Sequence, residues 1–305
     1  MKRVLITGAS GFIGRHAVES LAALGYEVHA VDLRVMPAPA NVIWHQIDLL
    51  DAKQVSDLVM AVRPTDLLHF AWYAEHGKFW SSPLNLDWVA ASVQLFKSFV
   101  EAGGRRAVFA GSCAEYDWAG SEPLVEDKTP CKPGSLYGVC KNATRQVVQA
   151  YASEAKISFA WGRIFFLYGP EENPNRLIPS ILHPLLEGKP ACCHSGDHVR
   201  DLLHVHDVAS AFVALLQSDV TGSVNIASGE RITLGEVSRR VALIVGREDL
   251  LTVDRQPATP ANPAIILADT TRLRREVGWN PRYDLTSGLE QVVASMRRPH
   301  TSKTS

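Results

Sequence analysis

The chain has 305 residues, 46% hydrophobic and 21% charged, the composition of a globular protein with one large domain or two coupled ones. Its 31 basic and 32 acidic side chains are interspersed and leave a formal net charge of -1, which excludes the basic footprint of a nucleic-acid binder. No apolar run approaches the ~18 residues of a membrane-spanning helix, and Met1 to Thr7 runs into a glycine turn rather than a cleavage site, so the expectation is a cytoplasmic protein with neither nucleic-acid nor membrane partners.

Apolar strand-like runs alternate with helical patterns through the first half. The strands are expected at Val4 to Thr7, Glu27 to Val31, Val42 to Gln46, Asp66 to Phe70, Ala107 to Ala110 and Ser158 to Gly162. Helices are expected near 12–24, 52–62, 84–102 and 136–155, each long enough to cross over a parallel sheet and bury one apolar stripe. The rhythm predicts an α/β fold with a doubly wound parallel sheet of Rossmann type and a smaller, interleaved C-terminal lobe. After Gly162 the pattern breaks into turns, then gives a helix from Ile178 to Leu186 closed by Gly188, a strand at Ser223 to Ala227 and a helix after Thr233. The larger, sheet-forming domain is therefore expected at 1–165 and 202–230, the smaller lobe at 166–201 and 231–298, and a frayed tail at 299–305.

Residues 4 to 14 read V-L-I-T-G-A-S-G-F-I-G, a strand, then Gly8, Gly11 and Gly14, then a helical pattern. Backbone N–H groups and a helix N-terminus must approach a pyrophosphate closely here, and a Cβ would obstruct them, so this turn, with Phe12 and Ile13 inside it, is the expected cofactor cradle. Asp32 ends the second strand 18 residues after Gly14, where a carboxylate accepts from ribose hydroxyls and repels a 2′-phosphate. That favours NAD; NADP stays open because Arg15 and Arg34 lie close in sequence.

Tyr137 and Lys141 are four apart on one face of an expected helix capped by Ser135, and Ser112 ends a strand 25 residues before Tyr137. The three would meet at the carboxyl edge of the sheet. Bringing a phenol from about 10 to about 7 takes on the order of 4 kcal/mol, and an ammonium about 4 to 5 Å away supplies roughly 3 to 4 at an effective dielectric of about 20. Tyr137 is then the acid or base, Lys141 lowers its pKa, and Ser112 donates to the reacting oxygen.

In this order, the glycine turn, Ser112, Tyr137-x-x-x-Lys141, Arg163-x-x-x-x-Tyr168-Gly169-Pro170 and Arg200-Asp201-x-x-x-Val205-x-Asp207 resemble the extended short-chain dehydrogenases of the NAD-dependent epimerase/dehydratase group, over about residues 2 to 295. The resemblance implies adenine contacts from Asp48 and Leu49 and a cofactor-lining Ala71, with Trp72 a departure. It also implies that Lys141 binds the nicotinamide ribose, that Arg200 grips a nucleotide diphosphate, and that two copies pair through the helices at 84–102 and 136–155. Arg200 has a structural alternative, an ion pair with Asp201 or Asp207. Phe166 stands where the family often has Asn. Dehydratases of this group carry an Asp-Glu pair after the catalytic Ser or Thr; Cys113 and Ala114 stand there, so elimination lacks its acid and base. Glu115, Tyr116 and, in an aromatic loop after Trp72, Tyr73 are the candidate sugar contacts.

The preferred activity at this level is a 4-ketoreductase of a nucleotide-diphosphate sugar. The alternatives are a 4-epimerase that retains its NAD and a non-catalytic dinucleotide sensor, although the latter would lack the tyrosine or the lysine. The five cysteines (113, 131, 140, 192 and 193) form no C-x-x-C pair or zinc spacing, and His204 and His206, expected on one strand face, lack a third ligand, so no metal is implied.

Overall fold

The computed structural model of the protein describes residues 2–119 and 123–297; the expected tail at 299–305 lies outside them. The strands are β1 Arg3–Thr7, β2 Glu27–Asp32, β3 Val42–Gln46, β4 Asp66–His69, β5 Arg106–Ser112, β6 Ser158–Ile164, β7 Phe166–Tyr168, β8 Ala191–Cys193, β9 Val199–Arg200, β10 Leu202–His204, β11 Gly222–Ile226, β12 Leu251–Val253 and β13 Ile265–Ile266. The α-helices are α1 Gly14–Ala23, α2 Ala52–Val62, α3 Leu84–Glu101, α4 Leu136–Glu154, α5 Leu177–Leu186, α6 Val205–Gln217, α7 Leu234–Val245 and α8 Leu285–Arg297.

Seven strands form one parallel sheet in the order β11-β6-β5-β4-β1-β2-β3. From β1 the chain builds outward to β3, then returns to β4 on the other side of β1. That reversal opens a crevice at the carboxyl ends of β1 and β4, the place where ligands bind in doubly wound sheets. Alternation along each strand feeds both faces: Val4 and Ile6 enter the core under α1 and α6, while Leu5 enters the core under α2, α3 and α4. A third core joins α5, α7 and α8 through Ile181, Leu182, Val237, Val241 and Leu289.

Local chemistry sets the helix ends. Asp51 caps α2 by accepting from the N–H groups of Lys53 and Gln54, and Ser135 caps α4 by accepting from Gly138 N–H. Thr233 and Glu236 form a reciprocal capping box on α7, which Gly246 closes at φ +75°. The first-half elements lie within one or two residues of their expected positions, with β5 and β6 extended toward Ser112 and Ile164. Helix α6 is not among the expected elements, and it corrects one reading: His204 ends β10 and caps α6, while His206 lies in the first turn, so they share no strand face.

Candidate active site

The glycine turn is dictated by close backbone approach. Gly8 has φ +67°, and a Cβ there would sit 2.8 Å from the backbone nitrogen of Ala71, at the end of β4. A Cβ on Gly14 would sit 2.1 Å from the Gly8 carbonyl oxygen. Only glycine lets β1, β4 and the first turn of α1 meet this tightly. A cleft of about 680 Å³ opens above them; Gly8, Gly11, Phe12, Ile13 and Gly14 form its floor, Asp32, Asp48 and Leu49 one end, and Ala71 the wall from β4. Size, helix N-terminus and carboxylate at the end of β2 fit a dinucleotide.

Asp32 also orders the cradle itself, accepting from Ser10 N–H at 2.9 Å and Leu33 N–H at 2.8 Å. Arg15 is turned away from it: the guanidinium pairs with Glu171 at 2.5 Å and donates to the Pro170 carbonyl at 2.9 Å. Of the two arginines that left NADP open, Arg34 lines the cleft and Arg15 ties the first turn of α1 to Glu171, which lines it too.

At the carboxyl end of β5, Ser112 caps a 3-10 turn, its hydroxyl accepting from Ala114 N–H at 3.2 Å. The same side chain lies near the Tyr137 phenol and favours its ionised form. Tyr137 is enclosed by an aromatic loop, with ring centroids of Phe79, Trp80 and Trp72 at 4.9, 5.8 and 6.4 Å, all edge-on, and its backbone N–H donates to Trp80 O at 3.1 Å. The buried Asn85 holds this loop, accepting from Trp72 Nε1–H and donating to the Phe79 and Ser82 carbonyls.

Lys141 lies one turn on from Tyr137, as expected, but its ammonium faces elsewhere: Nζ donates to Ala110 O at 2.9 Å and lies 3.8 Å from the Trp72 ring centroid. The π-face of Trp72 offers a cation site that the small residue usual at this place would not. Burial pulls the Lys141 ammonium down to about 7, with Glu115 opposing. Burial also pushes the Tyr137 phenol above its ordinary value, and the Ser112 hydrogen bond works against that.

Two candidate sugar contacts are tied to partners within the protein. Glu115 is fully buried; Oε1 accepts from Ser112 N–H and Trp161 Nε1–H, both at 2.8 Å, and Oε2 accepts from Arg163 Nε–H at 2.9 Å. Tyr116 is equally enclosed, donating its hydroxyl hydrogen to Asn225 Oδ1 and accepting from Arg163. Both are committed to a polar network inside the protein that fixes the backbone of Ser112. Tyr73 donates to Glu75 within its own loop.

The buried Arg200 donates to the carbonyls of Val199 and Ala264 and to Asn262 Oδ1, and its guanidinium carbon lies 5.4 Å from the Phe166 ring centroid. Neither acid weighed as its ion-pair partner serves it. Asp201 accepts from Ser228, Gly229 and Ala268, and Asp207 from Arg282 and Tyr283. Burial lowers the Arg200 guanidinium to about 10.

Sequence reasoning misses two features. A second cavity of about 410 Å³ beside Ala114 and Ser135 is walled by Trp80, Trp118, Lys132, Pro260 and Ala261. Its aromatics are visible in the chain, but the segment bearing Pro260 arrives from far along it. On the cofactor cleft, Glu172 is buried, burial raises its carboxyl to about 7, and Oε2 has no hydrogen-bond partner. It follows the Gly169-Pro170 turn, the one signal that could have drawn attention to it.

The model of the NAD dependent epimerase/dehydratase family matches residues 4–227, from the glycine turn through β11. The chain belongs to that family. Among relatives, the UDP-glucose 4-epimerase of Neisseria meningitidis serogroup B is 27% identical, with 95% of this chain and 96% of that protein covered. The dTDP-glucose 4,6-dehydratase of Neisseria gonorrhoeae is 26% identical, with 96% and 94% covered. The UDP-glucose 4-epimerase of Thermus thermophilus, solved in complex with NAD, superposes at a TM-score of 0.82 with 27% identity, covering 97% of this chain and 99% of that one. The family's cofactor is NAD, in agreement with Asp32 at the end of β2. In this chain the residue after Ser112 is Cys113, whose thiol burial pushes up to about 12, and Ala114 follows, so neither position carries a carboxyl group for elimination. Among the described residues no helix is long and apolar enough to cross a membrane.

Proposed function

We propose that the protein is a nucleotide-sugar 4-epimerase that keeps its NAD through the catalytic cycle. The observation that carries this reading is the bridge at the margin of the cofactor cleft: Arg15, in the first turn of α1, holds the Pro170 carbonyl and Glu171, which lines the cleft. A bridge there favours a dinucleotide that stays in place, as epimerisation through a transient ketone requires. The epimerase relatives support the same choice over the 4-ketoreductase preferred from sequence.

Bound NAD supplies a reversible hydride acceptor at the sugar C4. Tyr137 Oη takes the proton of the C4 hydroxyl and returns it after the ring has presented its other face. Ser112 Oγ accepts from Ala114 N–H, and its own hydrogen would turn from the Tyr137 phenol to the reacting oxygen. On leaving the Trp72 ring, Lys141 would hold the nicotinamide ribose and add its charge beside the phenol, and Arg200 would take the diphosphate. The 410 Å³ aromatic cavity offers the sugar stacking surfaces. Two copies would pair through α3 and α4, whose Leu86, Val139, Val147 and Tyr151 are exposed; sedimentation reads the mass.

A 4-ketoreductase would use the same residues, and the 75% exposure of the Glu171 side chain gives that reading its foothold, since an exposed bridge can open to release cofactor. Protein purified by gel filtration separates them. The epimerase carries NAD in near-stoichiometric amount and interconverts UDP-glucose and UDP-galactose without net NADH. A protein free of NAD that consumes NADH mole for mole with a 4-keto sugar nucleotide overturns the proposal, and one without turnover on either substrate is the sensor.

A further inference from the structure

Strands β8 and β12 pair in parallel, with Cys192 opposite Thr252 and Cys193 opposite Val253, so the residues just past them, His194 and Asp254, emerge side by side. Two backbone bonds fix this junction: Asp254 N–H donates to Cys193 O and Gly196 N–H to Asp254 O, both at 2.8 Å. Three donor atoms then converge: Cys192 Sγ lies 3.4 Å from His194 Nδ1 and 3.2 Å from Asp254 Oδ2, and Nδ1 lies 3.5 Å from Oδ2. We propose that Cys192, His194 and Asp254 form a zinc site on the smaller lobe, with the fourth position open to solvent.

The triangle has the dimensions of one face of a tetrahedron. With Zn–S of about 2.3 Å and Zn–N and Zn–O of about 2.0 to 2.1 Å, tetrahedral angles put the donors roughly 3.3 to 3.6 Å apart. Each observed edge is within about 0.3 Å of that. A thiol hydrogen bond to Asp254 accounts for one edge and a protonated imidazole beside the carboxylate for another; neither draws the imidazole nitrogen to the sulfur. A mixed thiolate, imidazole and carboxylate set suits zinc over magnesium or calcium, which take oxygen ligands. On binding, the Cys192 thiol loses its proton to solvent as the Zn–S bond forms. No short-range spacing announces the set, because Asp254 is 62 positions from Cys192.

Asp254 also opens the segment that carries Pro260 and Ala261 to the aromatic cavity and Asn262 to Arg200. Zinc at the junction would anchor the base of that segment to β8.

The test titrates the full chain with cobalt(II) as a spectroscopic substitute, then displaces it with zinc. Expected are one equivalent bound, a thiolate-to-cobalt charge-transfer band, visible bands of tetrahedral intensity, and their loss on adding zinc. In Cys192→Ser the charge-transfer band disappears. In His194→Ala, an exposed position whose change does not threaten folding, cobalt binds at least roughly tenfold more weakly. No charge-transfer band in the wild type, or one that persists in Cys192→Ser, overturns the proposal. So does unchanged affinity in His194→Ala.

Discussion

The Glu115–Arg163 pair gives the sharpest test of how the active site is held. Both side chains are at most 2% exposed, and Glu115 meets Ser112 N–H through the oxygen that also receives Trp161. Replacing Glu115 with Gln keeps size and one carbonyl oxygen but removes the charge and turns an amide N–H₂ toward Arg163 Nε–H, donor against donor. Removing one partner of a buried pair leaves an uncompensated charge and costs about 3 to 5 kcal/mol, whereas removing both is often close to neutral. Equilibrium unfolding in urea should therefore show Glu115→Gln destabilised by about 3 to 5 kcal/mol, and Glu115→Gln with Arg163→Met recovering much of that loss. Turnover should stay impaired in the double variant, because Ser112 has lost a charged acceptor on its backbone. A single variant within about 1 kcal/mol of wild type, or a double variant as unstable as the sum of the two singles, would refute this.

Two further predictions concern buried charge. Glu172 has its carboxyl raised from 4.5 to about 7 by burial, so its contribution to stability is fully present below pH 4.5 and is lost as pH rises through 7. That difference corresponds to on the order of 3 kcal/mol, so Glu172→Gln should be the more stable protein above about pH 7.5 and show a flatter profile from about pH 5 to 8 in thermal melts; parallel profiles would contradict it. Arg200→Ala should raise KM for the nucleotide sugar roughly 10- to 100-fold, from the loss of a charged hydrogen bond of about 1.5 to 3 kcal/mol, with kcat changed far less; an unchanged KM would remove Arg200 from the diphosphate.

What can be read from the chain divides by distance. The glycine turn, Asp32 and the strands of the sheet are legible because a few neighbouring residues carry the constraint: Gly14 must be glycine because the Gly8 carbonyl, a few positions earlier, lies where its Cβ would go. Ser112, Tyr137 and Lys141 can be placed at one edge because each sits at an element end or on a helix face of known period. Side-chain direction is not legible. Lys141 turns to Ala110 O because Trp72, just past another strand, offers it a π-face. Glu115 suggests a sugar contact by its place in the chain, but Arg163, 48 positions on, claims it. Helix α6 is hidden because its buried residues, from Val205 to Leu216, run nearly all round it and leave no single amphipathic stripe.

The Tyr137 hydroxyl is assigned the proton transfer while the cradle at Gly8 to Gly14 holds the cofactor. Tyr137→Phe, purified with its NAD content and unfolding midpoint measured alongside turnover, tests that division of labour most directly. The account predicts NAD and stability near wild type and a kcat lower by about 10² to 10⁴. A variant that keeps its NAD and turns over within roughly threefold of wild type would contradict it.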